Sequence, residues 1–325
     1  MKRIRTFGIS ACALAAAMLA LPAGAQEYPA RPITLVVPHP AGGTSDILAR
    51  TVAAEIGKTL GQTVLVDNRG GANGTIAAKQ VAQAAPDGYT LLLATASTHG
   101  INPTLYRKIS YDAAKDFAPV ALLATVPNVL VVGKRVPVRN LPELTRYIRA
   151  KAGGANMGSA GAGTPGHLAG EMYKNEAALS FLHVPYKGGA PAITDLVGGQ
   201  IDFMFTTLPA VLPHIKAGAV RALAVTSPAR SAALPAVPTM AESGLPGFQA
   251  VSWHGVVAPA GTPPAVLDKL SKAIATTLVV PEVRKRLAQE GAEAGTLTRV
   301  DFGKFIVTQI GTWGSAVRSS GAGVD

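Results

Sequence analysis

The stretch PHPAGGTSDILAR, residues 38–50, decides how the chain is interpreted. It follows a strand-like run, ITLVV, and continues into the apolar spacing of a helix. A glycine pair and a Thr-Ser-Asp cluster between them favour a turn and a helix start. Such a strand, turn and helix start form an anion cradle, because unpaired backbone N–H groups and the helix dipole point at one spot. The anion could be a nucleotide phosphate or a substrate carboxylate, or the turn could hold no ligand.

Strand-length apolar runs and helix-period segments alternate along most of the chain. Residues 33–95 follow the order strand, helix, strand, helix, strand, with short turns of Gly or Asn. The pattern begins again over residues 142–226. Such alternation predicts parallel strands that are covered by helices on both faces. We therefore expect an α/β protein of two lobes, each a mainly parallel sheet flanked by helices.

The last part of the chain has a different pattern. Helical segments are predicted over residues 266–278, 281–289 and 299–317, the first two opened by prolines. We expect these helices to pack back on the first lobe. The apolar stretches 119–132 and 248–257 are the natural crossings between the two lobes.

The first 25 residues have the layout of a secretory signal peptide. Lys2, Arg3 and Arg5 precede a short apolar run that ends in an A-x-A cleavage site, so cleavage is predicted after Ala25. The run is too short to favour a permanent membrane span. Cys12 sits in a lipoprotein-like box, but almost no apolar segment precedes it. Because Cys12 is the only cysteine, disulfides, zinc-thiolate sites and a cysteine nucleophile are excluded for the mature chain.

The chain is basic. Its net charge is +11, and removal of the three N-terminal cations leaves +8 for the mature protein. This balance suits anionic ligands and raises the question of nucleic acid. The basic clusters at residues 146–151 and 284–286 lie in helix-like segments without a binding motif beside them. We interpret them as solvated helix faces and expect no nucleic-acid partner.

A second loop repeats the opening motif. The stretch GSAGAGTPGHLAG, residues 158–170, shares the spacing Gly-Thr-x-x-x-Leu-Ala with residues 43–49. Thr164 is suited to cap the following helix, and Pro165 fits its first position. Two helix N-termini on two lobes could therefore face one cleft.

Other functions are less well supported by the motifs. The second loop also matches the dinucleotide fingerprint GxGxxG, but LHVPYK stands where the ribose-binding acid should follow. A hydrolase could be assembled from Ser, His and Asp residues near the loops, with His39 or His167 as base. Neither a G-x-S-x-G elbow nor a metal-binding cluster of acids accompanies them. We therefore expect no catalytic residues, no metal and no cofactor.

Several stretches together resemble the Bug proteins, the periplasmic solute-binding receptors of the tripartite tricarboxylate transporter family. The resemblance covers residues 26–322 with the motifs in order. In chain order they are PHPAGGTSDILAR, VDNRGGANGTIAA, DGYTLLLA, SAGAGTPGHLAGEMY, VPYKGGAPAITDLVGGQIDFMF, RALAV, LPAVPTMAESGLPGF and WHGVVAPAGTPPAVLDKL.

The resemblance implies a monomeric, two-lobed Venus-flytrap receptor in the periplasm. Lobe 1 would comprise residues 26–124 and 247–325, and lobe 2 residues 125–246. The receptor would close on a small organic carboxylate and deliver it to the membrane subunits of a tripartite tricarboxylate-type transporter. A sensory protein that signals to a membrane kinase is the alternative, since both functions use the same closed lobes.

The resemblance also implies which residues bind the ligand. Two loops grip it, and residues of neighbouring turns line the remaining walls. The implied ligand-binding residues are His39, Ala41, Gly42, Gly43, Thr44, Ser45, Asp46, Asn73, Ser97, Thr98, Ser159, Gly161, Gly163, Thr164, His167 and Thr206.

Two of these positions differ from the family pattern. Relatives carry Phe or Tyr at the position of His39, which could donate a hydrogen bond, add a positive charge or stand at the rim. A cationic His39 would make affinity fall as pH rises through neutrality. Thr206 stands where relatives often carry Asp, which favours a ligand without an ammonium group. Asp46 could contact the ligand or simply complement the helix dipole.

Overall fold

The structure is a computed structural model, and it describes residues 27–323. The predicted signal peptide, its cleavage point and the lipoprotein-like box lie outside the described residues. In this range the strands are β1 (Ile33–Val37), β2 (Val64–Asn68), β3 (Thr90–Thr95), β4 (Phe117–Gly133), β5 (Ala155–Ser159), β6 (Phe181–Pro185), β7 (Phe203–Thr207), β8 (Val220–Val225), β9 (Val251–Pro259) and β10 (Glu293–Ala294).

The helices fill most of the segments between the strands. The helices in the described range are α1 (Thr44–Leu60), α2 (Thr75–Ala82), α3 (Asn102–Leu105), α4 (Leu141–Ala150), α5 (Pro165–Glu176), α6 (Gly189–Gly198), α7 (Leu208–Lys216), α8 (Pro264–Val279), α9 (Pro281–Gln289) and α10 (Arg299–Ser320). A 3₁₀ turn spans Ala72–Gly74, and a π-helical turn spans Ser97–Ile101.

The strands form a mixed sheet in the order β2-β1-β3-β9-β4-β7-β5-β6, with β8 and β10 also paired to β4. The outer strands are parallel, as predicted: β1 with β2 and β3, and β5 with β6 and β7. The strands between them are antiparallel. The sheet is therefore less parallel than the sequence predicts, because β4 and β9 run against their neighbours at the centre.

Two strands connect the halves of this sheet. The first part of β4 pairs with β9 as far as Pro127, and from Asn128 onward β4 pairs with β7 and β8. These strands contain the apolar crossings predicted from the sequence. The division into two lobes stays a prediction, with β4 and β9 as its connections.

A buried polar cluster pins the chain where the pairing of β4 changes. Asn128 and Thr226 are both fully buried. Asn128 Nδ2 donates to Ala250 O at 2.6 Å, and Thr226 Oγ1 donates to the same oxygen at 2.7 Å. Thr226 Oγ1 also accepts from Asn128 N at 3.0 Å. Three chain segments are thus joined by side-chain hydrogen bonds at this point.

Alternate residues of β4 face different cores, which follows from the two-residue period of a strand. Leu130 belongs to the core that contains α5 and α10 residues, whereas Val129 and Val131 pack with α6 and α7. A third core lies between α1, α8 and the first half of the sheet. Burial on both faces explains why the crossing strand is almost entirely apolar.

The C-terminal helices form as predicted, with α8 and α9 opened by Pro264 and Pro281. α8 packs against α1 and β4, whereas α10 contacts β4 and also α5. Asn175 Nδ2 on α5 donates to Ser319 O at 3.0 Å. The last helix therefore contacts both halves of the molecule rather than the first alone. Among residues 27–323, none of the helices has the length and apolar character that a membrane crossing requires.

Candidate functional site

The first loop of the site, residues 38–43, joins β1 to α1. Gly42 has φ +78°, a left-handed conformation that suits glycine. Its N–H donates to Asp46 Oδ2 at 2.9 Å, and Arg50 Nε donates to the other carboxylate oxygen at 2.8 Å. Asp46 thus closes the loop with one oxygen and pairs with Arg50 of α1 through the other. These contacts favour a structural role for Asp46 over direct contact with an anion.

The N-terminus of α1 keeps three backbone donors. The first bond at this end runs from Ile47 N to Gly43 O at 3.0 Å. The N–H groups of Thr44, Ser45 and Asp46 precede it and have no acceptor in the helix. The helix dipole adds positive potential at the same place. This end of α1 is therefore suited to an anion.

The hydroxyl of Ser45 lies between two imidazoles at the base of the first loop. Ser45 Oγ lies 3.0 Å from His39 Nδ1 and 3.1 Å from His254 Nε2. Burial lowers the pKa of His39 to about 4 and that of His254, on β9, to about 3. Both rings are therefore neutral at pH 7. This argues against the positive charge on His39 that the sequence left open.

The turn Ala72–Gly74 sends a side chain to the second loop. Ala72 and Asn73 have φ values of 44° and 51°, in the left-handed region that costs a non-glycine residue about 1–3 kcal/mol. Asn73 Nδ2 donates to Asn102 Oδ1 at 2.8 Å and to Gly163 O at 2.9 Å. Both amide hydrogens of Asn73 are thus used within the protein. Only its side-chain oxygen remains for a ligand, and an acceptor does not suit a carboxylate.

The π-helical turn after β3 separates the roles of two neighbouring hydroxyls. Thr98 is fully buried, and its Oγ1 accepts from Thr95 N at 3.0 Å and bonds His99 Nδ1 at 2.9 Å. Tyr111 Oη fixes the same residue by donating to Thr98 O at 2.6 Å. Thr98 therefore holds the turn. The Ser97 hydroxyl makes no hydrogen bond to another described residue, so it is the one of the pair available to a ligand.

The second loop, residues 159–164, is folded by its own hydrogen bonds. Gly161 N donates to Ser159 Oγ at 3.1 Å, and Thr164 Oγ1 donates to Gly161 O at 2.8 Å. Thr164 also caps α5 by accepting from His167 N at 3.4 Å, and Pro165 occupies the first helical position. The predicted helix start is confirmed.

Two stacked imidazoles support this loop. His167 Nδ1 accepts from Gly163 N at 3.1 Å, which places the ring proton of the neutral imidazole on Nε2. The His167 ring stacks on that of His183 with centroids 3.9 Å apart, and His183 Nε2 lies 2.7 Å from Ser159 Oγ. Burial lowers the pKa of His167 to about 3 and that of His183 to about 4. His167 thus shapes the loop through Gly163.

The N-terminus of α5 offers fewer open donors than that of α1. Pro165 has no N–H, and the N–H of His167 is bonded to the cap. Gly166 retains its N–H, and a side chain there would clash with the carbonyl of Phe205 on β7. The two loops are alike in sequence, but α1 has three open donors at its first turn where α5 has one.

Two contacts connect the surroundings of the first loop with those of the second. Thr44 Oγ1 lies 2.7 Å from Thr207 Oγ1, at the end of β7, and Asn73 bridges to Gly163 O. Thr206 is 5 % exposed beside them, and its hydroxyl makes no hydrogen bond to another described residue. The start of α1 therefore contacts the end of β7, and the turn Ala72–Gly74 contacts the second loop. A ligand site between the two loops stays a prediction.

The predicted ligand-binding residues fall into two groups. One group retains unused polar atoms or lies at the rim: His39, Ala41, Gly43, Thr44, Ser45, Ser97 and Thr206. In the other group the donors or acceptors are already engaged inside the protein: Gly42, Asp46, Asn73, Thr98, Ser159, Gly161, Gly163, Thr164 and His167. The hydrogen bonds of the second group hold the loops in the shape that positions the first group.

Sequence reasoning missed three polar side chains of the site. His254 bonds Ser45 from β9, Thr207 bonds Thr44, and His183 supports Ser159. The only available signal for the two histidines was a polar residue inside an otherwise apolar strand. Within residues 27–323 no group of three or more His, Cys, Asp or Glu side chains is arranged to hold a metal ion.

Comparison with known proteins identifies the family. Residues 48–322 match the family described as Tripartite tricarboxylate transporter family receptor. The chain belongs to this family. It is 38% identical over 323 residues to protein BugT of Bordetella pertussis, and the match covers 99% of both chains. The resemblance to the Bug proteins seen in the sequence is thus confirmed.

Solved structures of similar proteins agree with this family assignment. A Rhodopseudomonas palustris protein solved with adipate matches with a TM-score of 0.88 and 38% identity, covering 92% of this chain and 100% of that chain. MatC from the same organism, solved with bound malate, matches with a TM-score of 0.83 and 36% identity, covering 89% and 100%. The predicted class, an α/β periplasmic-binding-protein fold, is therefore confirmed.

Proposed function

We propose that this family member is a periplasmic receptor that captures a small organic carboxylate between the first and second loops. The observation that carries the proposal is the set of three open N–H groups at the start of α1, beside the contact between Thr44 and Thr207 at the end of β7. An anion is the ligand that such a helix end favours. The adipate and malate bound by two similar proteins support a dicarboxylate.

The interactions are strong enough without a salt bridge. Residues 38–46 and 159–167 contain no lysine or arginine. A helix dipole stabilises a nearby anion by about 0.3–1 kcal/mol, and each hydrogen bond to a charged group contributes about 1.5–3 kcal/mol. Three or four such bonds, less the cost of immobilising the ligand, reach the roughly 8 kcal/mol of a micromolar complex.

We assign the ligand contacts to the groups that remain open. They are the N–H groups at the first turn of α1, the N–H of Gly166, and the hydroxyls of Ser97 and Thr206, with His39 at the rim. These donors come from both halves of the sheet. Only a closed arrangement of the proposed lobes, residues 26–124 with 247–325 and residues 125–246, collects all of them around one ligand.

Delivery of the ligand to the membrane subunits of a tripartite tricarboxylate-type transporter is part of the proposal. It includes export to the periplasm with cleavage after Ala25, and a monomeric receptor. Deletion of the gene should abolish uptake of the bound acid, while N-terminal sequencing of the exported protein should begin at Gln26. Normal uptake in the deletion strain would favour the sensory alternative instead.

Calorimetry with matched ligands tests the binding proposal. Adipate and malate should bind or raise the melting temperature, whereas adipamide, the uncharged analogue of adipate, should have no effect. A response to adipamide equal to that of the acids would overturn the carboxylate assignment. Mass spectrometry of the acid after prolonged incubation should recover it unchanged, and a product would indicate a hydrolase.

A further inference from the structure

The Ser45 hydroxyl restricts where the protons of two histidines can be. Ser45 Oγ lies within hydrogen-bond distance of His39 Nδ1, at 3.0 Å, and of His254 Nε2, at 3.1 Å. A hydroxyl has one proton and can accept two hydrogen bonds, but the two rings are the only partners of Ser45 Oγ among the described residues. The hydroxyl proton is therefore used only if Ser45 donates to one ring and accepts from the other. A neutral imidazole has one N–H and one acceptor nitrogen. Two arrangements satisfy these conditions, and they differ in the direction of both bonds.

The buried ring distinguishes the two arrangements. His254 is 4% exposed, and its Nδ1 is buried with no hydrogen-bond partner among the described residues. If His254 donates through Nε2, the unpartnered Nδ1 is an acceptor. In the opposite arrangement Nδ1 would be a buried N–H without an acceptor. Orphaned buried N–H groups are rarer in proteins than under-used acceptors, which favours donation by His254 Nε2.

We propose that His254, through Ser45, fixes His39 in the tautomer that presents an N–H to the ligand. His254 Nε2–H donates to Ser45 Oγ, and the Ser45 hydroxyl donates to His39 Nδ1. The proton of His39 must then be on Nε2, and that nitrogen makes no hydrogen bond to another described residue. His254 is a positioning residue, and His39 is a specificity-determining donor. This inference rests on the proposed binding of a carboxylate.

The surroundings of the chain of bonds are consistent with a neutral donor. The carboxylate of Asp46, in the first turn of α1, is bonded to Gly42 N and paired with Arg50. The carbonyl of His39 accepts from Asn68 Nδ2 at 3.1 Å, which holds the backbone of the residue in place. An aromatic ring at position 39 would shield a ligand without donating, so His39 favours a ligand with an acceptor at this place.

The tautomer of His39 can be measured without any ligand. Long-range ¹H–¹⁵N correlation spectra of the ¹⁵N-labelled protein should show His39 protonated at Nε2 and His254 also protonated at Nε2. The signals are assigned by their loss in His39→Phe and His254→Gln. Protonation of His39 at Nδ1, or on both nitrogens at pH 7, would overturn the inference. This result does not depend on whether a carboxylate binds.

Binding of adipate tests the consequence, with malate as the probe if adipate does not bind. His39→Phe and His254→Leu should each weaken binding about tenfold, the effect of losing one charge-assisted hydrogen bond. His254→Gln keeps an amide donor towards Ser45 and should bind within about twofold of wild type. His214→Gln, at an exposed position on α7, is the matched control and should leave affinity unchanged.

The outcomes separate this inference from the proposed function. If wild type binds neither acid, the proposed function fails, and the spectra still decide the tautomer. If it binds and His254→Leu has wild-type affinity, the role of His254 is overturned. Affinity of the wild type should be constant from pH 6 to pH 8.5, and a decrease across this range would indicate a cationic His39 and overturn the neutral donor.

Discussion

At the scale of single residues, the site depends on histidines that stay neutral. Burial lowers the pKa of five imidazoles to between about 3 and about 4: those of His39, His99, His167, His183 and His254. Each can then act as both donor and acceptor with fixed direction, which a charged ring cannot do. Neutral rings also carry no positive charge, so they do not compete with the backbone N–H groups for the anion.

These histidines make stability depend on pH. A histidine with a pKa near 3 when folded and 6.5 when unfolded takes up a proton on unfolding between these values, so its contribution is complete above pH 6.5 and decreases as pH falls. For fully buried His99 the loss at pH 5 is about 2 kcal/mol. The free energy of unfolding, measured with urea, should therefore fall between pH 7 and pH 5 in the wild type. In His99→Phe this decrease should be smaller by about the same amount. An equal decrease in the free energy of unfolding of both proteins would contradict this role of His99.

At the scale of elements, a short turn with strained backbone places a side chain against the second loop. The turn Ala72–Gly74 has three consecutive positive φ values and directs Asn73 to Gly163. Gly163 itself has φ +73°, and a Cβ there would clash with Leu105 and approach Asn73 Nδ2 to 3.1 Å. The bridge therefore requires both the strained turn and the missing side chain.

Two alanine substitutions distinguish the cost of a left-handed backbone from the cost of a steric clash at Gly163. Gly163→Ala should destabilise the protein and weaken ligand binding, because it displaces Asn73 and the second loop. Gly153→Ala has a similar φ of +79° with open space around it, so it should cost only the left-handed penalty of about 1–2 kcal/mol and leave affinity unchanged. Denaturant titration and calorimetry measure the two effects. Equal affinities of both variants would show that the bridge does not contribute.

The polar cluster at the strand crossing is a second test at this scale. Asn128→Ala removes a donor to Ala250 O and leaves Thr226 with part of the cluster. Breaking a buried hydrogen bond costs about 1–3 kcal/mol, so the free energy of unfolding should fall by this amount. The exposed substitution Asn175→Ala, which also removes one amide-to-carbonyl bond, should cost less than 1 kcal/mol. Similar losses would contradict a special role of the crossing.

At the scale of the whole molecule, a direct hydrogen bond joins the two halves of the sheet. Thr44 and Thr207 are 163 residues apart in sequence, yet their hydroxyls form one hydrogen bond beside the helix ends. In the proposed receptor, we expect this bond to stabilise the closed arrangement of the lobes whether or not a ligand is present. The ligand-free protein should then already populate the closed form.

Removing this bond should shift the shape of the ligand-free protein. Thr207→Val keeps the volume and removes the hydroxyl, at a cost of about 0.5–1.5 kcal/mol to the closed form. Small-angle scattering should then show a larger radius of gyration without ligand, and the values should converge when adipate is saturating. The matched change Thr59→Val, on the outer surface of α1, should leave the scattering unchanged. No difference from wild type would mean that the bond does not hold the halves together.

The sequence predicts the parts of the site that depend on local chemistry. Helix-start preferences predict that Thr164 caps the helix of the second loop, and the structure confirms this cap. His254 could not be predicted as a partner of Ser45, because the two are 209 residues apart and meet only through the pairing of β9. The antiparallel direction of β4 and β9 was equally hidden, since apolar runs do not reveal strand direction.

The shared strands also set the order in which the chain can fold. β3 and the first half of β4 pair with β9. Pairs between β3 and β9, such as Leu92 with Val257, can therefore form only when β9 is in place. Until β9 has joined the sheet, β3 and the first half of β4 have unpaired edges. The segment from β5 to β8 pairs within itself and with the end of β4, so it can assemble earlier. The first half of the sheet is thus completed only after β9, Val251–Pro259, has joined it, so we expect it to fold after the second half.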